Sequence, residues 1–132
     1  MKYLLDTNIC IYIIKQKPVQ VLNRFLSFQP GEIGISAITV AELSFGVQKS
    51  AFPEKNQNAL EMFLQPLEMI DFDCGAAFAY GRIRQHLQAG GQLIGALDML
   101  IAAQAVSLNV ALVTNNIGEF ERVPELVVEN WV

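Results

Sequence analysis

Leu4-Leu5-Asp6-Thr7-Asn8 is an apolar run that ends abruptly in a carboxylate, a hydroxyl and an amide. A short buried strand over Lys2 to Asp6, stopping at the acid, puts all three polar groups at one edge of a sheet. In open α/β folds that edge, outside the carboxyl ends of the strands, is where ligands bind. The reading of the chain therefore turns on whether other elements bring more carboxylates to the same edge.

Working outward, Asn8 to Lys15 reads as a buried helix with Thr7 or Asn8 as its N-cap. Pro18 suits the first turn of a second helix that runs to about Phe28, with Val21, Leu22, Phe25 and Leu26 on one face, and Pro30-Gly31 ends it. Glu32 to Ser36 is a second strand, and Ser36 caps a helix that continues to about Lys49. Pro53 opens a further helix, in which Ala59, Leu60, Phe63 and Leu64 recur at helical spacing, and Pro66 closes it. Leu67 to Phe72 is a third strand. Asp73 caps a long helix over Cys74 to Ala89, stopped by Gly90-Gly91. Asp98 starts a helix of nearly uniform apolarity, expected to be central. Val110 to Thr114 is a fourth strand, Asn115-Asn116 a turn, Gly118 to Arg122 a helical turn, and Leu126 to Val128 an edge strand. Strands separated by helices imply a mostly parallel sheet covered on both faces.

The 132 residues fall within the range of one domain, expected to span 1–132. Apolar residues make up 52% of the chain, and its mean hydropathy of +0.33 suggests that some of the surplus serves a partner interface. The apolar stretch from Ala96 to Val113 is interrupted by Asp98, Gln104, Ser107 and Asn109, which argues against a membrane span. Nothing ahead of Asp6 resembles an export signal, so a cytoplasmic location is expected. Cys10 and Cys74 lack ligand-like spacing and are expected to be buried free thiols.

Thirteen acids against nine bases exclude a protein that coats nucleic acid by charge alone. The bases are nonetheless grouped. Lys15, Lys17 and Arg24 lie in one acid-free segment, and Arg82, Arg84 and His86 lie in another. These segments are either solvated helix faces or places that grip phosphates.

Three carboxylates fit a core poorly. Glu42 has Ile38, Ala41, Leu43 and Phe45 as helical neighbours, and Asp98 shares its face with Ile101 and Ala102. A lone buried carboxylate is costly without a partner or a metal. Each has an ordinary alternative: Asp6 as a turn residue, Asp98 as an N-cap, Glu42 leaning to solvent or paired with a base. Taken together, acids that gather at one sheet edge, with one histidine in the chain, point to oxygen ligands of the kind that suit Mg²⁺ or Mn²⁺. Such an ion activates water and stabilises charge in phosphodiester cleavage. Past the fourth strand, Asn116 and Glu119 are a turn residue and a helix acid on the plain reading, or the far side of the same pocket.

The ordered set of motifs resembles the PIN-domain ribonucleases of the VapC toxin family. It comprises Leu5-Asp6-Thr7-Asn8; Ser36-x-x-Thr39-x-x-Glu42-Leu43-x-x-Gly46; Ile94-Gly95-x-x-Asp98-x-x-Ile101-Ala102-Ala103; Val113-Thr114-Asn115-Asn116-x-x-Glu119-Phe120-x-Arg122-Val123-Pro124; and Glu129-Asn130-Trp131. The resemblance implies a PIN-like three-layer α/β/α sandwich with a mostly parallel four- to five-stranded sheet. It also implies a Mg²⁺- or Mn²⁺-dependent endoribonuclease toxin acting on structured RNA such as tRNA or rRNA, neutralised by a VapB-type antitoxin and forming a homodimer. Asp6, Glu42 and Asp98 match the family acids that bind the ion and orient water. Glu119 matches a fourth acid, where many relatives carry Asp at the position of Asn116. Thr7, Asn8, Thr114 and Asn116 match polar groups beside the acids or on the phosphate side. Leu93 stands where Pro is frequent.

Two other enzyme or signalling readings are disfavoured by single positions. A haloacid-dehalogenase-type phosphatase wants a second Asp at position 8, which is Asn8, and a receiver-like domain wants a late Lys, whereas no lysine follows Lys55. A pure interaction module remains, and it predicts that Asp6→Asn leaves the biological effect intact.

Overall fold

The structure, a computed structural model, describes all of residues Met1–Val132. Its strands are β1 (Tyr3–Leu5), β2 (Ile33–Ser36), β3 (Glu68–Ile70), β4 (Ala111–Val113) and β5 (Val128–Glu129). They form one sheet in the order β3-β2-β1-β4-β5, with every pairing parallel. Successive strands add on one side of β1 as far as β3, and then on the other side from β4. The crevice between β1 and β4 is thus the topological switch point, where ligands bind in open α/β sheets.

Seven helices cover the sheet: α1 (Thr7–Lys15), α2 (Val19–Leu26), α3 (Ala37–Gln48), α4 (Pro53–Leu64), α5 (Cys74–Ala89), α6 (Ala96–Leu108) and α7 (Ile117–Phe120). Leu4 and Leu5 show how the layers are assigned, because successive strand residues face opposite sides of a sheet. Leu4 and Leu112 join the core made with Ala79, Ile83 and Leu87 of α5 and Ile101 and Ala105 of α6. Leu5 and Val113 join the other core, with Ile9 and Ile13 of α1, Leu43 of α3 and Phe63 of α4. The result is the expected three-layer α/β/α sandwich. Strands covered on both faces need continuous apolarity rather than alternation. The uniform apolarity of α6 has the same cause, since Ile101 to Ala105 are all buried. No helix is long and apolar enough to cross a membrane.

Local signals set most boundaries. Ser36 Oγ accepts from the Ile38 N–H at 3.0 Å, and Asp73 Oδ1 accepts from the Ala76 N–H at 2.9 Å, so both expected caps are present. Three details depart from the sequence reading. Leu26 ends α2 exposed, because the helix buries only Val21 fully. The edge strand forms two residues later than expected, with Leu112 opposite Val128 and Val113 opposite Glu129, while Leu126 packs against the core. Cys74 is exposed, because the buried stripe of α5 runs through Ala76, Ala79, Ile83 and Leu87 and misses it. Cys10 is buried as expected, and its burial pushes the thiol well above its usual value. The C-terminal segment is anchored by Trp131, which stacks on Phe28 at 5.6 Å and meets Tyr3 edge-on at 5.5 Å.

Candidate active site

Asp6 follows β1 directly and is itself the N-cap of α1, in place of the Thr7 or Asn8 expected from sequence. The strand ends where its carboxylate can turn back, and Oδ1 accepts from the Thr7 N–H at 2.9 Å. Oδ2 accepts from the Thr114 hydroxyl at 2.7 Å, across the switch point. Thr114 Oγ1 in turn accepts from the Asn116 N–H at 3.0 Å, which commits its single proton to Asp6. Asp6 is 4% exposed. Burial raises its pKa, the bonds from Thr114 and Thr7 oppose the rise, and the charges of Glu42 and Glu119 add to it.

Glu42, on α3, is half-buried, and its Oε1 accepts from the Thr7 hydroxyl at 2.8 Å. The apolar surround expected from its neighbours is incomplete, because Phe45 is 66% exposed. Glu42 has no basic partner, since the ion pairs of the chain are Lys2–Glu32 and Arg24–Glu129. Thr7 therefore touches two acids: its backbone N–H holds Asp6 and its hydroxyl holds Glu42.

Asp98 is not a cap. Gly95 is the N-cap of α6, and Asp98 lies inside the first turn, half-buried. A Cβ on Gly95 would come within 3.3 Å of Asp98 Oδ2, so the glycine leaves room for the carboxylate. The Asp98 carboxyl is pushed up to about 7, first by burial, then by a carboxyl–carboxyl hydrogen bond with Glu119, then by the charges of Asp6, Glu119 and Glu42. Glu119, on α7, also accepts from Asn116 Nδ2 at 2.9 Å through its Oε2.

Asp6, Glu42, Asp98 and Glu119 are therefore brought together from four separate elements, with Thr7, Thr114 and Asn116 bonded to them. Asn8 is exposed at the start of α1. One pair escaped the sequence reading: Asn115 Nδ2 donates to the Tyr12 hydroxyl at 2.8 Å. A bond across 103 positions leaves no local signal.

The basic residues divide. Lys15 lines a groove of about 430 Å³ that starts at Thr7 and Glu42 and continues past Ile11, Leu43 and Leu60. Lys17, Arg82 and Arg84 are exposed, and Arg84 donates to the Tyr80 hydroxyl at 2.9 Å. Arg24 is exposed but already engaged: Glu129 binds it at 2.6 Å and the Phe28 and Trp131 rings flank it at 5.7 and 5.6 Å.

No three His, Cys, Asp or Glu side chains converge closely enough to enclose an ion as they stand. Mg²⁺ does not need such a cage, since it keeps several waters and is commonly bound through one or two carboxylates plus substrate phosphates. The donor set fits an ion of that kind: all oxygen and mutually repelling, with the Asp98 carboxyl raised to about 7 first by burial and then by the acids beside it.

Comparison with known proteins identifies the family. A profile of the PIN domain matches residues 3–126. Ribonuclease VapC2 of Rickettsia felis is 48% identical over 132 residues, covering 99% of this chain and 98% of that protein. The tRNA(fMet)-specific endonuclease VapC of Shigella flexneri is 43% identical over 131 residues, covering 99% and 98%. The crystal structure of VapBC2 from Rickettsia felis bound to a DNA fragment from their promoter contains a chain that superimposes with a TM-score of 0.94. That chain is 46% identical, with 100% of both chains covered. The chain belongs to the PIN-domain family and, within it, to the VapC ribonucleases.

Proposed function

We propose that this chain is a toxic endoribonuclease that requires Mg²⁺ or Mn²⁺, cuts phosphodiester bonds in structured RNA such as tRNA or rRNA, and is neutralised by a VapB-type antitoxin. The observation that carries this reading is the gathering of four carboxyls from separate elements at the switch point, with Asp6 and Glu42 joined through Thr7, Asp6 tied to Thr114 across the crevice, and Glu119 held by Asn116. Asp6, Glu42, Asp98 and Glu119 are the groups that would hold the ion. Once bound, it supplies Lewis-acid activation of water and charge stabilisation at the phosphate.

The protein's own contribution is positional. Thr7 and Thr114 spend their hydroxyl protons on Glu42 and Asp6, which fixes the two carboxylates and leaves each with further lone pairs to offer an ion. Asp98, whose carboxyl is raised to about 7 by burial and the neighbouring acids, is the group suited to accept a proton from an attacking water when ionised. Lys15, Lys17, Arg82 and Arg84 are the cations available to phosphates on either side of the cut. Asn8 and Asn116 are polar groups at the rim, and Asn116 steadies Glu119.

The tRNA(fMet) specificity in the Shigella relative's name supports tRNA as the first substrate to try. The VapBC complexes among the structural relatives support a VapB-type partner. A single domain over residues 1–132, a homodimer and a cytoplasmic location complete the reading. The test is incubation of the purified protein with tRNA and Mg²⁺ or Mn²⁺, beside EDTA and Asp98→Asn. Cleavage is expected in the first arm alone, and cleavage that survives both controls overturns the metal–carboxylate mechanism.

A further inference from the structure

The three residues that leave β4 each reach a different element. Thr114 donates to Asp6 at 2.7 Å, Asn115 donates to Tyr12 of α1 at 2.8 Å, and Asn116 donates to Glu119 of α7 at 2.9 Å. The outer two bonds orient acids. The middle bond ties the segment to the helix whose first turn carries Thr7, the residue bonded to both Asp6 and Glu42.

We propose that Tyr12 is a positioning residue of the acid site, acting through Asn115. It rests on the ribonuclease reading above. The Tyr12 ring packs against the core shared by Ile9, Ile13 and Val113, so its hydroxyl is a fixed point. Asn115 carries that fixed point into the middle of the 114–116 segment. The Tyr12–Asn115 bond thereby sets the separation between the Asp6–Glu42 half of the pocket and the Asp98–Glu119 half. Without it the segment keeps its backbone anchors, Thr114 N–H to the Glu129 carbonyl at 3.0 Å and Phe120 N–H to the Asn116 carbonyl at 3.3 Å. It also keeps the Thr114 bond to Asp6 at 2.7 Å, and loses only the tie from its middle residue to the body of α1. The fold is retained, but the Asn115–Asn116 end that steadies Glu119 is less firmly held relative to Glu42 and Asp6, and displacements of about 1 Å can cost catalysis heavily.

Tyr12→Phe removes the hydroxyl and keeps the ring in the core. The experiment measures kcat and KM for tRNA cleavage, Mn²⁺ affinity without RNA, and melting temperature, for the full chain and for Tyr12→Phe, Asn115→Ala and the double variant. Loss of a residue that orients ion ligands costs about 10- to 100-fold in affinity or activity. The expected result is therefore a fall of at least about 10-fold in kcat, weaker Mn²⁺ binding, KM within about twofold, and a double variant no worse than either single one. A role in stability alone predicts a lower melting temperature with kcat and Mn²⁺ affinity unchanged, and that result overturns the proposal. Wild-type protein that binds Mn²⁺ but leaves RNA intact sinks the ribonuclease reading, while the Mn²⁺ affinities still decide the role of Tyr12. Wild-type protein that neither binds Mn²⁺ nor cleaves overturns both.

Discussion

The Thr114 hydroxyl is bonded to Asp6 Oδ2 at 2.7 Å across the line where strand order reverses, joining two residues 108 positions apart. It joins the ends of the two strands that flank the ligand-binding crevice. Because Thr114 is fully buried, its hydroxyl has no water to fall back on. Thr114→Val keeps the shape and leaves both Asp6 Oδ2 and the Asn116 N–H without a partner. Leaving a buried group unsatisfied costs about 1–3 kcal/mol, so thermal melting is expected to drop by several degrees. Cleavage of tRNA is expected to fall further than stability does, because Asp6 also loses the bond that most lowers its pKa.

Asp98 makes stability depend on pH in a direction opposite to that of a paired carboxylate. Its folded value, about 7, lies above its ordinary value of 3.8. Between these values the folded chain retains a proton that the unfolded chain has released, so stability falls as pH rises. The contribution is complete below 3.8 and is lost as pH passes through about 7. In the metal-free protein, melting temperature is expected to decline across this window. Asp98→Asn is expected to flatten the decline, and Mg²⁺ or Mn²⁺ to offset it in the wild type. A melting series from about pH 4 to about pH 8, spanning both values, reads all three when run with and without the ion.

Gly95 and Asp98 give a prediction with a steric origin. Gly95→Ala puts a methyl group 3.3 Å from Asp98 Oδ2, closer than most side-chain carbons approach a neighbour. The carboxyl must move by a few tenths of an ångström, and its bond with Glu119 moves with it. Activity is expected to fall while melting temperature stays nearly constant, as checked by cleavage kinetics beside a thermal melt.

The cations separate by salt response. Lys15→Gln combined with Lys17→Gln is expected to weaken RNA binding and to flatten its salt dependence, by roughly 0.7 logarithmic units for each phosphate that is no longer neutralised. Arg24→Ala is expected to leave that slope unchanged and to lower melting temperature instead, because Arg24 is spent on Glu129, Phe28 and Trp131. Binding titrations at several salt concentrations distinguish the two, and equal slopes for all variants contradict the assignment of Lys15 and Lys17.

Much of the fold was legible in order along the chain. Ser36 and Asp73 are caps where their neighbours predict caps, Pro53 opens a helix, and the run from Met99 to Val106 is apolar because it lies between α5 and the sheet. The departures share a cause. Asp6 rather than Thr7 caps α1, Gly95 rather than Asp98 caps α6, and Cys74 is exposed rather than buried. In each case several nearby residues could serve locally, and the direction of the side chain is chosen by what lies across from it.

The sequence by itself determined the alternation of strands and helices, the acidic identity of positions 6, 42, 98 and 119, and the family to which they belong. These follow from hydrophobic spacing, caps and motif order, all of which act within a few residues. Tertiary structure alone decided that Thr7 serves two acids, that Arg24 pairs with Glu129, and that Tyr12 holds Asn115. It also brings Asp98 against Glu119 and raises its pKa. Those relationships join residues that are distant in the chain. They arise only when parallel strands align their carboxyl ends and burial forces every polar group there to find a partner.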